Sequence, residues 1–567
     1  MHERAVSEAA RRALIAEGMP PLLARVYAAR GVDRASMLGE SLDGMHPPAL
    51  LKGIQPAVDI LAAAIARNEP VLVVADYDCD GATACAVAVR GLRMMGAKID
   101  FLVPNRREHG YGLTPPIVEL ALQHPRLGRP ALLVTVDNGI ASHDGIAAAN
   151  AAGLRVLVTD HHLPADTLPP AAAIVNPNQP GCTFPSKHLA GVGVMFYLLV
   201  ALRAHYRSAS PDSAAARAPL QTLLDLVALG SIADVVRLDE NNRRLVHAGL
   251  RRIRAGQANC GINALFSQAG RDPRAATSAD LGFLIGPRIN AAGRLADISL
   301  GIACLLSDDL AAAAEHARQL DAINRERRDI EHAMREQALT SVGEPAADAY
   351  SIVVHDPSWH EGVIGLVAGQ MKTRFGRPAF ALAPTADGLG WRGSGRSVPG
   401  IHLRDALDLV SKRAPDLIAR FGGHAMAAGL TLSGDSVQAF AATLEAVLRD
   451  TVDPEHLQPE LMTDGVLDPG EASLELVDTL SRQVWGQGFP EPVFTCRFRV
   501  LAQRIVGERH LKLDLMAGGR RFDAIAFGRD QPLSADPTLA YRLSINEYRG
   551  LRSMQLVIEA SSEVRTL

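Results

Sequence analysis

Four short β-rich runs follow one another between residues 71 and 159: VLVVA (71–75), IDFLV (99–103), ALLVTV (131–136) and RVLVT (155–159), with alanine-rich helical spacing between them, as over residues 82–95. Near-continuous apolar runs suit strands buried on both faces, and their alternation with helices is the rhythm of a parallel sheet in an α/β fold. A polar cluster follows three of the runs: DYDCDG the first, DNG the third and DHH the fourth. Ligands of open α/β sheets gather outside the carboxyl ends of the strands, so these clusters are expected to converge although about 80 residues separate the first from the last.

The remaining chain divides by pattern. Residues 1–50 read as an N-terminal helical segment and 51–305 as the parallel-sheet domain. Its second half is mostly helical and ends a long apolar run at an isolated acid, Asp234. Ser307, Asp308 and Asp309 suit a helix start, and Leu310, Ala313, Ala317, Leu320, Ile323, Ile330 and Met334 continue at helical spacing. A helix to about residue 340 spans roughly 50 Å, a connector over 306–345. A second α/β domain is expected over 346–450. From 451 to 567 the pattern changes to five short strands, which suits a small β-barrel of the OB type.

Charge is informative only when read locally. The whole chain has 58 Lys and Arg against 62 Asp and Glu, which excludes a uniformly basic coat, but residues 495–552 hold 11 basic and 6 acidic side chains. Six cysteines are scattered without a CxxC pair, against a zinc ribbon or a disulfide-stapled fold, and the expected compartment is the reducing cytoplasm. The N-terminus has no apolar h-region. The longest apolar stretch, residues 189–202, falls short of the ~20 residues a bilayer span needs, so no membrane association is expected.

Asp76, Asp78 and Asp80, with Asp137, Asp160, His161, His162 and Asp234, form the strongest candidate site. Carboxylates brought together at strand ends raise one another's pKa, and bound cations remove that cost. A mainly carboxylate set with one or two imidazoles suits Mn²⁺ or Mg²⁺, and two such ions can deprotonate a water and neutralise phosphoryl charge. Taken alone, DxDxDG equally suits a solvated acidic turn, and DHH a capping Asp before two surface histidines. An EF-hand is excluded because Val87 stands at loop position 12. Three polar clusters after the strands of one sheet favour a functional site.

DYDCDG, DNG, DHH and the later Asp234 resemble the four motifs of the DHH phosphoesterase superfamily. NPNQPGC (176–182), HLAGVGVMFYL (188–198), GPRINAAGRL (286–295), WHEGVIGLVAG (359–369), GSGRS (393–397), FGGHAMAAG (421–429) and WGQGFPEPVF (485–494) resemble its branch of single-stranded-DNA exonucleases, from about residue 50 onward. The resemblance implies a DHH domain, a long helix, a DHH-associated domain and an OB fold. It further implies 5′→3′ hydrolysis of single-stranded DNA to 5′-mononucleotides with two Mn²⁺ or Mg²⁺ ions, in DNA repair and recombination, with single-strand-binding protein or a helicase as partner. It makes Asp78, Asp80, Asp137, His161 and Asp234 metal ligands, and Asp76 and Asp160 carboxylates in or just behind the ligand shell. His162 becomes the contact to the scissile phosphate. Where the family often has a histidine two residues before the first motif Asp, this chain has Val74, which removes one potential ligand.

Arg288 and Arg294 suit either core ion pairs or phosphate contact, and beside a phosphoesterase site phosphate contact is favoured because a guanidinium fork matches phosphate geometry. Ser394, Arg396 and His424 lie among glycines, either in tight loops or as a clamp for a 5′-phosphate. Tyr77, Tyr111, Trp391 and Phe421 lie near the motifs and could stack bases, while Arg497, Arg499, Arg504, Arg509 and Lys512 could track phosphates. Residues 388–393 satisfy GxGxxG without a following helix pattern, and Ile364 breaks the HExxH begun at His360, so neither a dinucleotide site nor a metalloprotease is expected. Two alternatives remain: a phosphodiesterase of short oligoribonucleotides or cyclic dinucleotides, and a catalytically silent DNA-binding scaffold.

Overall fold

The structure is a computed structural model; it describes residues 1–104, 109–346, 348–434, 436–458, 460–507, 509–548 and 551–562. The chain forms two compact units, one of residues 1–293, 297–321 and 461–567, the other of 294–296 and 322–460.

The first unit begins with a short strand, β1 (His2–Glu3), so the N-terminal segment is not wholly helical. The parallel sheet has the order β3-β2-β4-β5-β6, with β2 (Val71–Ala75), β3 (Ile99–Leu102), β4 (Leu132–Val136), β5 (Arg155–Thr159) and β6 (Ala173–Val175). The four expected runs are therefore strands, joined by a fifth, AIV, too short to stand out by periodicity. β2 and β4 are neighbours while β3 lies on the other side of β2, which puts the topological switch point at the end of β2. Ala75 pairs with Val136, Val136 with Thr159 and Thr159 with Val175. The next residues, Asp76, Asp137, Asp160 and Asn176, thus begin one row across the carboxyl edge, and Asp76, Asp137 and Asp160 continue the ladder by donating their N–H groups to Val136, Thr159 and Val175.

Helix α1 (Cys79–Met94) starts where Asp78 caps it, its carboxylate accepting from the Gly81 N–H at 3.0 Å. Small residues all round it let α1 be buried against α2 (Gly191–Ala209) and α3 (Leu224–Ala233). Helix α4 (Gly286–Leu295) carries the GPRINAAGRL run, entered through a π-helical turn over Leu281–Ile285. The expected connector is α5 (Leu310–Val342), 33 residues long, started by the Asp309 carboxylate on the Ala312 N–H.

The second unit holds a five-stranded sheet, order β10-β11-β9-β8-β7, of β7 (Ile352–His355), β8 (Ala379–Pro384), β9 (Gly390–Arg396), β10 (Ile418–Gly423) and β11 (Ala427–Ser433). GSGRS is not a loop: its first four residues, 393–396, lie on β9, paired with β8 and β11. Its Gly395 is required by packing, since a Cβ there would come within 2.4 Å of the Phe380 ring. GxGxxG runs into the same strand, which agrees with the exclusion of a dinucleotide site.

The chain then returns to the first unit. β12 (Met462–Thr463) pairs in parallel with β1, and Arg30 donates to both Asp464 oxygens, at 2.6 and 3.0 Å, in a pair whose side chains are 1% exposed. The tail forms the sheet β13-β17-β18-β16-β15-β14, with β13 (Phe494–Arg497), β14 (Arg499–Val506), β15 (His510–Ala517), β16 (Arg520–Ala526), β17 (Thr538–Tyr548) and β18 (Leu551–Ser561). Its two edge strands are halves of one run broken at Phe498. The first half pairs with β17 and the second with β15, so five runs close a barrel, as the OB pattern requires. Among the described residues no single helix is long and apolar enough to cross a membrane.

Candidate metal centre

The carboxyl edge of the parallel sheet collects the acidic clusters. Potential ligand atoms fall into three overlapping sets, each within 4.8 Å: Asp76, Asp78 and Asp137; Asp80, His161 and Asp234; and Asp137, His161 and His162. Asp137 and His161 are shared between sets, an arrangement suited to two neighbouring cations. His161 Nε2 lies 3.1 Å from Asp137 Oδ1, 3.5 Å from Asp234 Oδ2 and 4.0 Å from Asp80 Oδ2.

Each ligand candidate is held by its backbone context. Asp80 accepts from the Gly191 and Val192 N–H groups at 2.6 and 2.9 Å, taking up the free donors at the start of α2. Asp137 adopts φ 62°, and Gly191 faces it so closely that a Cβ there would stand 2.6 Å from the Asp137 Cβ. Asp234 ends α3, and the next residue, Val235, has φ 59°, an outlying conformation for a β-branched side chain.

Asp160 differs from the others. One oxygen accepts from the N–H groups of His161 and His162 and pairs with His162 Nδ1 at 2.8 Å, and the other accepts from the Ile140 N–H. It enters none of the ligand sets, so its place is behind the shell, orienting the DHH turn. Asp76 stands within a set. Asn176 and Asn178 donate to the carbonyls of His162 and His161 at 2.9 and 2.6 Å. Sequence reasoning gave the NPN run no role; its signal was the strand-end register that puts Asn176 in the row of acids. Val74 is fully buried in an apolar layer with Leu72, Leu133 and Val158, so a ring there would occupy the sheet's core.

The electrostatics carry the signature of a cation site. Burial, then Asp78, raises the Asp80 carboxyl to about 7, and burial followed by the neighbouring acids pushes Asp137 and Asp234 well above the carboxylate range. Burial and then His162 push His161 down to about 4, leaving a neutral ring able to ligate. Burial also opposes charge on His162, but the bond to Asp160 outweighs it and holds that ring near 9; the same bond keeps Asp160 low despite burial. Asp137 Oδ1 and His161 Nε2 are buried without a hydrogen bond, near each other but not aligned for one. Buried acceptors facing one point fit Mn²⁺ or Mg²⁺, and the neutral His161 ring among them fits as well.

This gives an expected stability effect. A carboxyl raised in the folded state makes the metal-free protein lose stability as pH rises from about 4, the unfolded carboxylate range, to about 7. Mn²⁺ removes the repulsion and competes with protons, so its stabilising increment is expected to be larger at pH 8 than at pH 5. Melting curves with and without Mn²⁺ at both pH values measure this, and equal increments would refute it.

Among the other expected residues, Arg288 is a correction. It is buried, with Nη2 2.9 Å from Asp321 Oδ1 and Nη1 bonded to the Leu284 carbonyl, so it is an ion-pair partner and not a group presented to phosphate. A guanidinium taken out of water needs a carboxylate, and Asp321 supplies it. Arg294 donates to the Gly362 carbonyl at 3.1 Å. On β9, Arg396 donates to Ser394 Oγ at 3.1 Å, and both face Gly365 near the start of the helix Ile364–Phe375. His424 is exposed in the turn between β10 and β11. Tyr111 is 50% exposed with its hydroxyl 3.4 Å from His162 Nε2, whereas Tyr77 is buried, and Trp391 and Phe421 pack on an apolar core. On the barrel, Arg497, Arg504 and Arg509 are exposed, while Lys512 is paired with Asp523 at 2.6 Å and Arg499 lies 3.8 Å from Asp536.

Three family models match this chain: the DHH family N-terminal domain over residues 70–231, the DHHA1 domain over 348–450 and the RecJ OB domain over 463–560. The single-stranded-DNA-specific exonuclease RecJ of Escherichia coli is 48% identical over 556 residues, covering 95% of this chain and 96% of that protein. The RecJ of Bacillus subtilis is 32% identical, covering 95% of this chain and 67% of its own length. A crystal structure of Thermus thermophilus RecJ in complex with Mn²⁺ superposes with a TM-score of 0.82 at 31% identity, covering 99% of this chain and 79% of that one. A Mg²⁺ complex of the same protein gives 0.76 at 30% identity, over 98% and 77%. With near-complete coverage at close to half identity, and with all three domains in order, the chain belongs to the RecJ family of DHH phosphoesterases.

Proposed function

We propose that this protein is a metal-dependent exonuclease specific for single-stranded DNA, degrading it 5′→3′ to 5′-mononucleotides in DNA repair and recombination. The observation that carries this is the three ligand sets linked through Asp137 and His161, in a chain that matches an exonuclease of this specificity over 95% of its length. Asp76, Asp78, Asp80, Asp137, His161 and Asp234 would hold Mn²⁺ or Mg²⁺, which supplies Lewis acidity and a lowered pKa for the attacking water. His162, charged and oriented by Asp160, offers Nε2 as donor to the non-bridging oxygens of the scissile phosphate. Ser394, Arg396, Arg294 and His424 bind the strand's phosphates, and Tyr111, half exposed beside His162, gives a face for a base. Single-strand-binding protein or a helicase is the proposed partner, and the cytoplasm, where six thiols stay unpaired, the proposed compartment. A phosphodiesterase of dinucleotides has no use for the terminal barrel and is not favoured.

Digestion of 5′- and 3′-labelled single strands, the matching duplex and a dinucleotide with Mn²⁺ tests the reading. Release of labelled mononucleotide from the 5′ end of the single strand first is expected. Release from the 3′ end first, or faster turnover of the dinucleotide, would overturn it. His162→Gln is expected to lower the rate about 10²-fold with Mn²⁺ affinity retained, since it removes a charged donor and no principal ligand.

A further inference from the structure

Three features of the structure converge on the GPRINAAGRL helix, α4, apart from the phosphate contact proposed for Arg294. Asn290 Oδ1 accepts from the Cys79 N–H at 2.7 Å. That N–H is one of the free donors in the first turn of α1; Cys79 is 1% exposed, so water does not replace the bond, and the residues on either side of it are Asp78 and Asp80. One turn along the same face, Gly293 lies so close to the carbonyl of Tyr77 that a Cβ there would be 2.0 Å from its oxygen. At the other end of α4, Gly286 packs on Ala233, the residue before Asp234, where a Cβ would meet the Ala233 Cβ at 3.1 Å. α4 therefore touches both chain segments that bring acids to the metal centre from outside the DNG and DHH turns, and the buried pair of Arg288 with Asp321 fixes α4 to the first half of α5.

Resting on the metal-centre reading, we propose that α4 is a brace for the ligand loops and that Asn290 is a positioning residue, holding the Tyr77–Cys79 backbone so that Asp78 and Asp80 face the metal together. It acts through the backbone N–H of Cys79 and touches neither metal nor DNA. Arg288 belongs to the same device, as the anchor of the brace.

The test is Mn²⁺ binding by the full-length protein, followed through the electron paramagnetic resonance of free Mn²⁺, for the wild type, Asn290→Ala, Asn290→Asp and Gly293→Ala. Loss of groups behind a ligand shell weakens metal binding by about 10–100-fold, and that loss is expected for Asn290→Ala and Gly293→Ala, with the rate at saturating Mn²⁺ largely recovered in Asn290→Ala. Asp and Asn are about equal as acceptors at a helix start, so Asn290→Asp is expected to bind within about threefold of the wild type. Wild-type affinity in Asn290→Ala would overturn the proposal, as would equal losses in the Ala and Asp variants. A collapse of the metal-free melting temperature in Asn290→Ala would also overturn it, because the residue would then serve the fold and not the metal. If the wild type itself takes up no Mn²⁺, the reading of the metal centre fails first and the proposal falls with it.

Discussion

Replacement of Asp137 by asparagine is expected to lower nucleotide release by on the order of 10³-fold, equivalent to about 4 kcal/mol of lost transition-state stabilisation. The residue is shared between two of the ligand sets, so its loss weakens both cation positions at once. The same change is expected to leave the metal-free protein at least as stable as the wild type. Its carboxyl is buried, crowded by Asp80, Asp78, Asp76 and Asp234, and makes no hydrogen bond through Oδ1, so an uncharged amide relieves repulsion. The rate measured with Mn²⁺ and the melting temperature measured without added metal therefore move in opposite directions. A merely structural Asp137 would lose both, and activity close to wild type with Mn²⁺ present would refute the assignment.

The second large effect lies far along the chain from the acids. Asp464→Ala is expected to destabilise the protein by about 3–5 kcal/mol, because it strands the Arg30 guanidinium in a site where both side chains are 1% exposed. Arg30 retains bonds to the carbonyls of Val26 and Pro490 and its place over the Trp485 ring, none of which neutralises its charge. Replacing both residues, Arg30→Met with Asp464→Leu, is expected to recover part of the loss, since it removes the buried unpaired charge while the Val493 N–H and Arg4 still lose the Asp464 carboxylate. Urea denaturation of the single and double variants measures this, and a single variant within 1 kcal/mol of the wild type would refute it.

Much of this architecture was legible because its determinants are local. Apolar runs at 71–75, 131–136 and 155–159 announced the strands, and the polar clusters after them announced one site, since parallel register leaves the residues after paired strand ends side by side. Four things were not legible. Whether a carboxylate ligates or orients depends on which N–H groups reach it, so Asp160 and Asp76 could not be told apart by spacing. Arg288 and Asp321 are 33 positions apart, and no periodicity announces a pair formed across helices. The glycines of GSGRS suggested a loop, yet in β9 they make room for the side chains of neighbouring strands, a demand that comes from Phe380 and Leu430 and not from the local sequence. The two-residue strand at the N-terminus has too few residues to show any period, and its partner is in the tail.

That partnership has a consequence in time. Arg30 and Asp464 are 434 positions apart, and ribosomes add about 5–20 residues per second, so roughly 20–90 s separate the emergence of the arginine from that of the acid that neutralises it. For that interval Arg30 lacks the carboxylate that neutralises it and β1 lacks its partner β12, so the packing of the N-terminal segment is incomplete. The unit that carries the metal centre is thus completed by residues 461–567, made long after its parallel sheet, which leaves a nascent chain without its finished fold until they have arrived.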